Sequence, residues 1–297
     1  MKHLIVNADD FGLAGGVNRG ILEAFQRGGL GSATLMATGE AFDDAAALAA
    51  LNPGLGVGVH LALVGVRPVS PPDRIPSLVD ASGRLWPTLE TFLGRWVTRR
   101  IRREDVTREI EAQIEKILAA GIQPTHLDTH KHTMVLPGVM ALLADSCRRL
   151  GVPAVRFPFA ADRLGWSTAV PGRRGELLRQ WCLGRAVLVW WGPWRAALGD
   201  GLRHPERFYG VARTGLWTRP YLESLLETLP DGVSELMTHP GRLDESLKNS
   251  RTRLKESRQA ELELLCDVVP PLAARHGIRI DSYRILAADK GDHHESN

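Results

Sequence analysis

Residues 104–129 read EDVTREIEAQIEKILAAGIQPTHLDT, and the change of rhythm inside this stretch decides the fold class. Val106, Ile110, Ile114 and Ile117 recur at helical spacing, which predicts a helix over Glu104–Ala119. Gly121 stops it, Pro124 follows, and Thr125–Thr129 then reads as a strand. The same unit recurs outward in both directions. Further strands are expected at Leu4–Ala8, Ala33–Ala37, Val57–Leu63, Ala154–Phe157, Ser234–Thr238 and Ile278–Tyr283. Gly28-Gly29 closes the first helix and Gly151 the one after Leu136. Strands alternating with helices predict parallel pairing, so the class is α/β. Seven such units point to a (β/α) barrel, distorted or seven-stranded, ahead of a doubly wound open sheet.

Two stretches break the rhythm. Arg67 to Pro87 holds five prolines and reads as a long loop after the third strand. Residues 163–217, rich in Trp, Arg, Gly and Pro, read as an insertion with few strand signals on a single barrel domain spanning 1–290. Residues 291–297 are expected to form a polar tail.

The 297 residues are 44% hydrophobic and 24% charged, with a formal net charge of +3. This composition excludes disorder as the dominant state and gives no sign of nucleic-acid binding. The most apolar stretch, Ala186 to Trp194, is too short to span a bilayer and is broken by Gly192 and Pro193. At the start, Asn7, Asp9 and Asp10 interrupt any signal-peptide core. Cys147, Cys182 and Cys266 are odd in number and far apart, as expected of reduced thiols in a cytoplasmic protein. No G-x-S-x-G elbow, P-loop or C-x-x-C pair occurs, and the third glycine of a dinucleotide fingerprint is missing at Leu61.

Chemistry-bearing residues gather at strand ends. Asp9-Asp10 ends the first strand, His60 lies in the third, and His126, Asp128, His130 and His132 share one face of the fourth if alternation holds. Arg156 lies in the fifth strand and His239 follows the strand ending at Thr238. In a parallel barrel these ends share one face, so residues far apart in sequence converge. His130 reads as a metal ligand, and His60 reads so in its company; His126 and His132 read better as surface or supporting residues. Gly58 beside His60 is expected to leave room for a ligand. Two adjacent carboxylates at a buried strand end repel unless a cation or proton compensates. Two imidazoles and a carboxylate with open positions describe a catalytic divalent site, zinc or magnesium being the leading ions.

Val6-Asn7-Ala8-Asp9-Asp10-Phe11-Gly12, Gly58-Val59-His60-Leu61, Thr125 to His132 and His239-Pro240-Gly241, in that order, resemble the YdjC/ChbG-type carbohydrate deacetylases. The resemblance runs from the first strand to the helix at Arg258–Leu265. It implies a barrel of the glycoside hydrolase/deacetylase type that removes acetyl from N-acetylated amino sugars. It assigns Asp10, His60 and His130 to the metal, Asp9 to the general base and His239 to the general acid. Arg156 and Asp128 would stand on the substrate side. Lys131 and Thr133-Met134 depart from the residues many members carry there. Arg67-Pro68-Val69, with Ile75 to Asp80 and Gly83, is most similar to the hopanoid-biosynthesis-associated branch, which implies an N-acetylglucosaminyl hopanoid as substrate. Soluble N-acetylglucosamine or chitooligosaccharides are the alternative, and a non-catalytic glycolipid-binding barrel or a phosphoester hydrolase are the rivals. Trp181, Trp190, Trp191 and Trp194 with Arg179, Arg185 and Arg195 offer either a barrel-covering core or peripheral contact at the inner membrane face. A homodimer is a family-level expectation.

Overall fold

The computed structural model describes residues 1–136, 138–250 and 252–288; the expected polar tail lies outside them. Seven strands form one all-parallel sheet: β1 (Lys2–Phe11), β2 (Ser32–Leu35), β3 (Gly56–Leu61), β4 (Leu127–Thr129), β5 (Arg207–Tyr209), β6 (Gly232–Thr238) and β7 (Ile278–Asp281). Their order is β4-β3-β2-β1-β6-β5. β7 shares an edge of β1 with β2: it pairs with Lys2–Ile5, while β2 pairs with Asn7, Ala8 and Phe11. The sheet curls, and the segment after β4 joins its ends. Arg156 N–H donates to the Leu127 carbonyl, and Ala161 N–H to that of Phe208 in β5. The result is the expected barrel in distorted, seven-stranded form.

Local chemistry explains these elements. Leu4, Ile5 and Val6 are all fully buried, as an unbroken apolar run must be in a sheet covered on both faces. The helix Arg103–Ala119 buries Val106, Ile110, Ile114 and Ile117 against the sheet, and Gly121 ends it in the left-handed conformation.

Two expectations are corrected. Ala154–Phe157 makes only isolated bridges, because Pro153 and Pro158 on either side have no N–H to give a ladder. The segment 163–217, expected to hold few strand signals, contributes β5, a strand of three residues and too short to show a period. The same segment carries the helices Arg174–Ala186 and Trp191–Leu198. The proline-rich loop holds no named strand and is clamped to the helix Arg103–Ala119. Glu109 accepts the N–H groups of Val69 and Ser70, and Asp105 accepts the N–H and hydroxyl of Ser77. Among the described residues no helix is long and apolar enough to cross a membrane.

Candidate active site

Because every strand is parallel, the ends of β1, β3, β4 and β6 open on one rim. β1 carries two carboxylates there because its pleat is broken. Its pairing with β2 shifts register between Ala8 and Phe11, and Asp10 takes a left-handed φ of 67°. Alternation lapses at the one place where it would otherwise send Asp9 and Asp10 to opposite faces.

Asp10, His60 and His130 meet here. Asp10 Oδ1 lies 3.2 Å from His60 Nε2 and 3.2 Å from His130 Nδ1, and the two nitrogens are 3.3 Å apart. For ligand bonds near 2.1 Å, the edges of an octahedral and a tetrahedral shell are about 3.0 and about 3.4 Å. The triangle falls between them, so the donor set fits a divalent ion. Asp10 and His60 are buried; His130 is partly exposed and marks the open side.

Each of these groups is held from behind. His60 Nδ1 bonds Asp128 Oδ1 at 2.7 Å, which directs Nε2 toward Asp10. Thr34 Oγ1 donates to Asp128 Oδ2 at 3.2 Å. The far oxygen of Asp10 accepts a hydrogen bond from the fully buried Arg258. Asp9 accepts two bonds from Arg156, at 2.6 and 2.8 Å, and one from the Asn7 side chain at 3.0 Å. Arg156 also reaches Asp128 at 2.7 Å and Glu235 at 2.8 Å, and Glu235 accepts the Tyr283 hydroxyl.

Electrostatics calls for a cation. Five buried carboxyl groups, on Asp9, Asp10, Asp128, Glu235 and Glu261, share the centre with two buried guanidiniums, on Arg156 and Arg258. Burial penalises the charged form of every one of them. At Asp10 that penalty is outweighed by Arg258 and the two imidazoles, and at Asp9 by Arg156, so both stay well below the usual carboxylate range. Burial wins at Asp128, which is raised, and pushes Glu235 and Glu261 up to about 7. His60 is raised to about 10: burial opposes its charge, but Asp128 and Asp10 at its two nitrogens hold the proton. A proton thus supplies the positive charge that this cluster demands.

His239 follows β6. Its Nε2 lies 3.9 Å from Asp9 Oδ2, and its backbone N–H donates to Glu261 at 2.6 Å. Burial lowers its pKa to about 4, assisted by Arg258 and opposed by Asp9, so the resting ring is neutral.

Other sequence expectations need amendment. Asp128 and Arg156, expected on the substrate side, have no exposed surface and are committed to each other and to Asp9 and His60. They position the groups that face the opening. The shared face of the fourth strand ends at Thr129: His130–Val135 is a 3-10 turn, with Lys131 and His132 in left-handed conformations. His132 therefore turns to the ring edge of Phe208, within electrostatic reach of Arg156 and Asp9. The space beside Gly58 is filled by His126, whose ring stacks on Tyr283 at 3.5 Å. Glu235 and Arg258 were given no role from sequence. An acid inside a buried strand was a usable signal for Glu235, since it must find a buried partner; Arg258 sits on a helix without such a mark.

Fold and site together define a parallel (β/α)-barrel protein with a cation-seeking, carboxylate-rich centre at its C-terminal rim. The chain belongs to the YdjC-like protein family, whose profile matches residues 3–270. A carbohydrate deacetylase of Geobacillus stearothermophilus is 35% identical over 286 residues, covering 95% of this chain and 97% of that protein. One of Brevibacillus brevis is 33% identical, covering 88% and 90%. A chitooligosaccharide deacetylase of Yersinia pestis is 31% identical, covering 95% and 98%. A crystal structure from Enterococcus faecalis V583, described as a cellobiose-phosphate cleavage protein, superposes with a TM-score of 0.74 at 26% identity, covering 96% of this chain and 98% of that one.

Proposed function

We propose that this protein is a metal-dependent N-deacetylase that hydrolyses the acetamide of an N-acetylated amino sugar. The observation that carries the reading is the Asp10–His60–His130 triangle with a second, separately held carboxylate, Asp9, beside it. Full-length deacetylase relatives support the bond and the substrate class.

Asp10, His60 and His130 would hold the ion. When bound, a divalent ion there supplies Lewis acidity, polarising a carbonyl and lowering the pKa of water toward ~7. Asp9 is fixed by Arg156 and Asn7 and stays ionised, so it accepts the proton of the attacking water at a carboxylate oxygen. His239 is neutral at rest and must gain a proton before it can give one. Asp9 Oδ2, 3.9 Å from Nε2, is the source, and the imidazolium then protonates the departing nitrogen. One water is consumed; acetate and the free amine leave.

For the rest of the substrate, chitooligosaccharide-deacetylase relatives favour a soluble oligosaccharide. The exposed tryptophans and arginines beside the rim favour a second reading, an N-acetylglucosaminyl hopanoid. Acetate release is measured with and without chelator, on N-acetylglucosamine oligomers and on an N-acetylglucosaminyl lipid in vesicles, beside phosphate release from a phosphoester. Chelator-sensitive acetate release is expected. Phosphate release in its place, or acetate release untouched by chelator, removes the proposal. Asp9→Asn should keep its metal by elemental analysis yet lose at least about a hundredfold in turnover, whereas His130→Ala should lose the metal.

A further inference from the structure

The helix Arg174–Ala186, the 3-10 stretch Val187–Trp190 and the helix Trp191–Leu198 follow one another directly as one helical segment whose two sides differ. Its inner side is anchored on the rim. Leu177 packs with Ala212 and Leu216, Trp181 Nε1 donates to the Asp162 carbonyl, and Gln180 donates to that of Thr214. Residues 210–216 follow β5, and Asp162 follows the segment that closes the barrel. The helical segment therefore sits at the same end as Asp10, His130 and His239. Trp194 also faces inward, against Phe157 and Phe159.

The outer side is apolar and uncovered. Leu183 is 58% exposed, Val189 72%, Trp190 38% and Trp191 42%. Large apolar side chains left exposed so close together in sequence are what a contact surface offers. Between Leu177 and Leu198 the charged residues are Arg179, Arg185 and Arg195, with no acid among them. All three are exposed, and none has a carboxylate partner among the described residues. Arg195 lies 5.6 Å over the Trp191 ring.

The charge selects the occupant. A second copy seated face to face would bring three arginines against three arginines. An anionic bilayer matches both halves of the pattern: tryptophan is favoured at headgroup depth, and arginine is favoured near lipid phosphate.

We propose that this helical segment docks the protein on an anionic lipid bilayer, with Leu183, Val189, Trp190 and Trp191 among the headgroups and the arginines on phosphate. Docking turns the catalytic rim toward the membrane. That it thereby presents a lipid-linked sugar to the site rests on the deacetylase reading above; the docking itself does not.

The test is sedimentation with vesicles of phosphatidylcholine, alone or mixed with phosphatidylglycerol, beside acetate release from a soluble oligosaccharide. Wild-type protein should bind the mixed vesicles, with binding weakened by salt. The pair Trp190→Ser and Trp191→Ser should lose at least about tenfold in partitioning. Leu183→Ser with Val189→Ser, at more exposed positions, should do the same and guards against misfolding of the first pair. Each Arg→Gln change should cost about fivefold on anionic vesicles alone. All variants should keep the soluble activity. No binding to anionic vesicles, or equal binding by wild type and variants, overturns the proposal. A concentration-dependent dimer abolished by the same changes also overturns it, in favour of a second copy. Vesicle binding without acetate release from any substrate would remove the deacetylase reading and leave the docking intact.

Discussion

Asp128 and Arg156 are fully buried, and each holds other groups of the site in place. Asp128 accepts from His60 Nδ1 and so sets the direction of the opposite nitrogen. Asp128→Asn keeps an oxygen at that place but lowers its basicity and its charge. Metal affinity, followed by chelator competition, should fall roughly 10–100-fold. Arg156 grips both oxygens of Asp9 and spends its third nitrogen on Glu235. Lysine preserves the charge but has a single point of contact and cannot hold a carboxylate by both oxygens. Arg156→Lys should therefore cost about 3 kcal/mol in denaturant unfolding. Its kcat should drop more than about tenfold with little change in KM, since Asp9 loses its orientation while the substrate's own contacts remain. Equal kcat in the two proteins would show that Asp9 needs no such anchor.

Elements that owe their form to neighbours in sequence were readable; those that owe it to distant partners were not. The helix starting at Arg103 and the strand β3 announce themselves by period and by glycine stops, and so the barrel and the rim position of His60 follow. Asp10 could be suspected where alternation must lapse. Arg258 could not, because its partner Asp10 lies 248 positions away, and β5 is too short to carry a pattern. The left-handed Lys131 and His132 likewise have no glycine to announce them. The proline-rich loop illustrates the same division: its composition excludes regular structure, but only the fold reveals that Asp105 ties it down. Burial opposes the Asp105 charge, yet the Ser77 N–H and hydroxyl and Arg102 depress its pKa. A depressed carboxylate stabilises the fold above its unfolded pKa, near ~4, and that contribution fades as pH falls through the folded value. Asp105→Asn should lower stability by roughly 1.5–3 kcal/mol at pH 7. The gap from wild type in denaturant melts should narrow below pH ~4; a gap constant with pH would assign the role to packing alone.

At the scale of the molecule, three groups that would hold an ion come from β1, β3 and the turn after β4, and Arg258 ties one of them, Asp10, to a helix near the far end of the chain. A ligand that binds only when all of these are assembled stabilises the whole fold. At a hundred times its Kd, an ion adds about 2.7 kcal/mol, or about 4 °C in Tm for a chain of this length. Chelation should reverse that shift in wild-type protein and move the His130→Ala melt hardly at all. Identical responses from the two proteins would place the ion elsewhere. The position of β1 has one more consequence. It lies at the middle of the sheet, yet its partners β6 and β7 leave the ribosome long after it does. Until β6 and β7 emerge, the nascent chain carries an apolar strand with one edge open and the other covered only in part by β2. Chains cut short before residue 278 should consequently be clients of chaperones and proteases rather than smaller working enzymes.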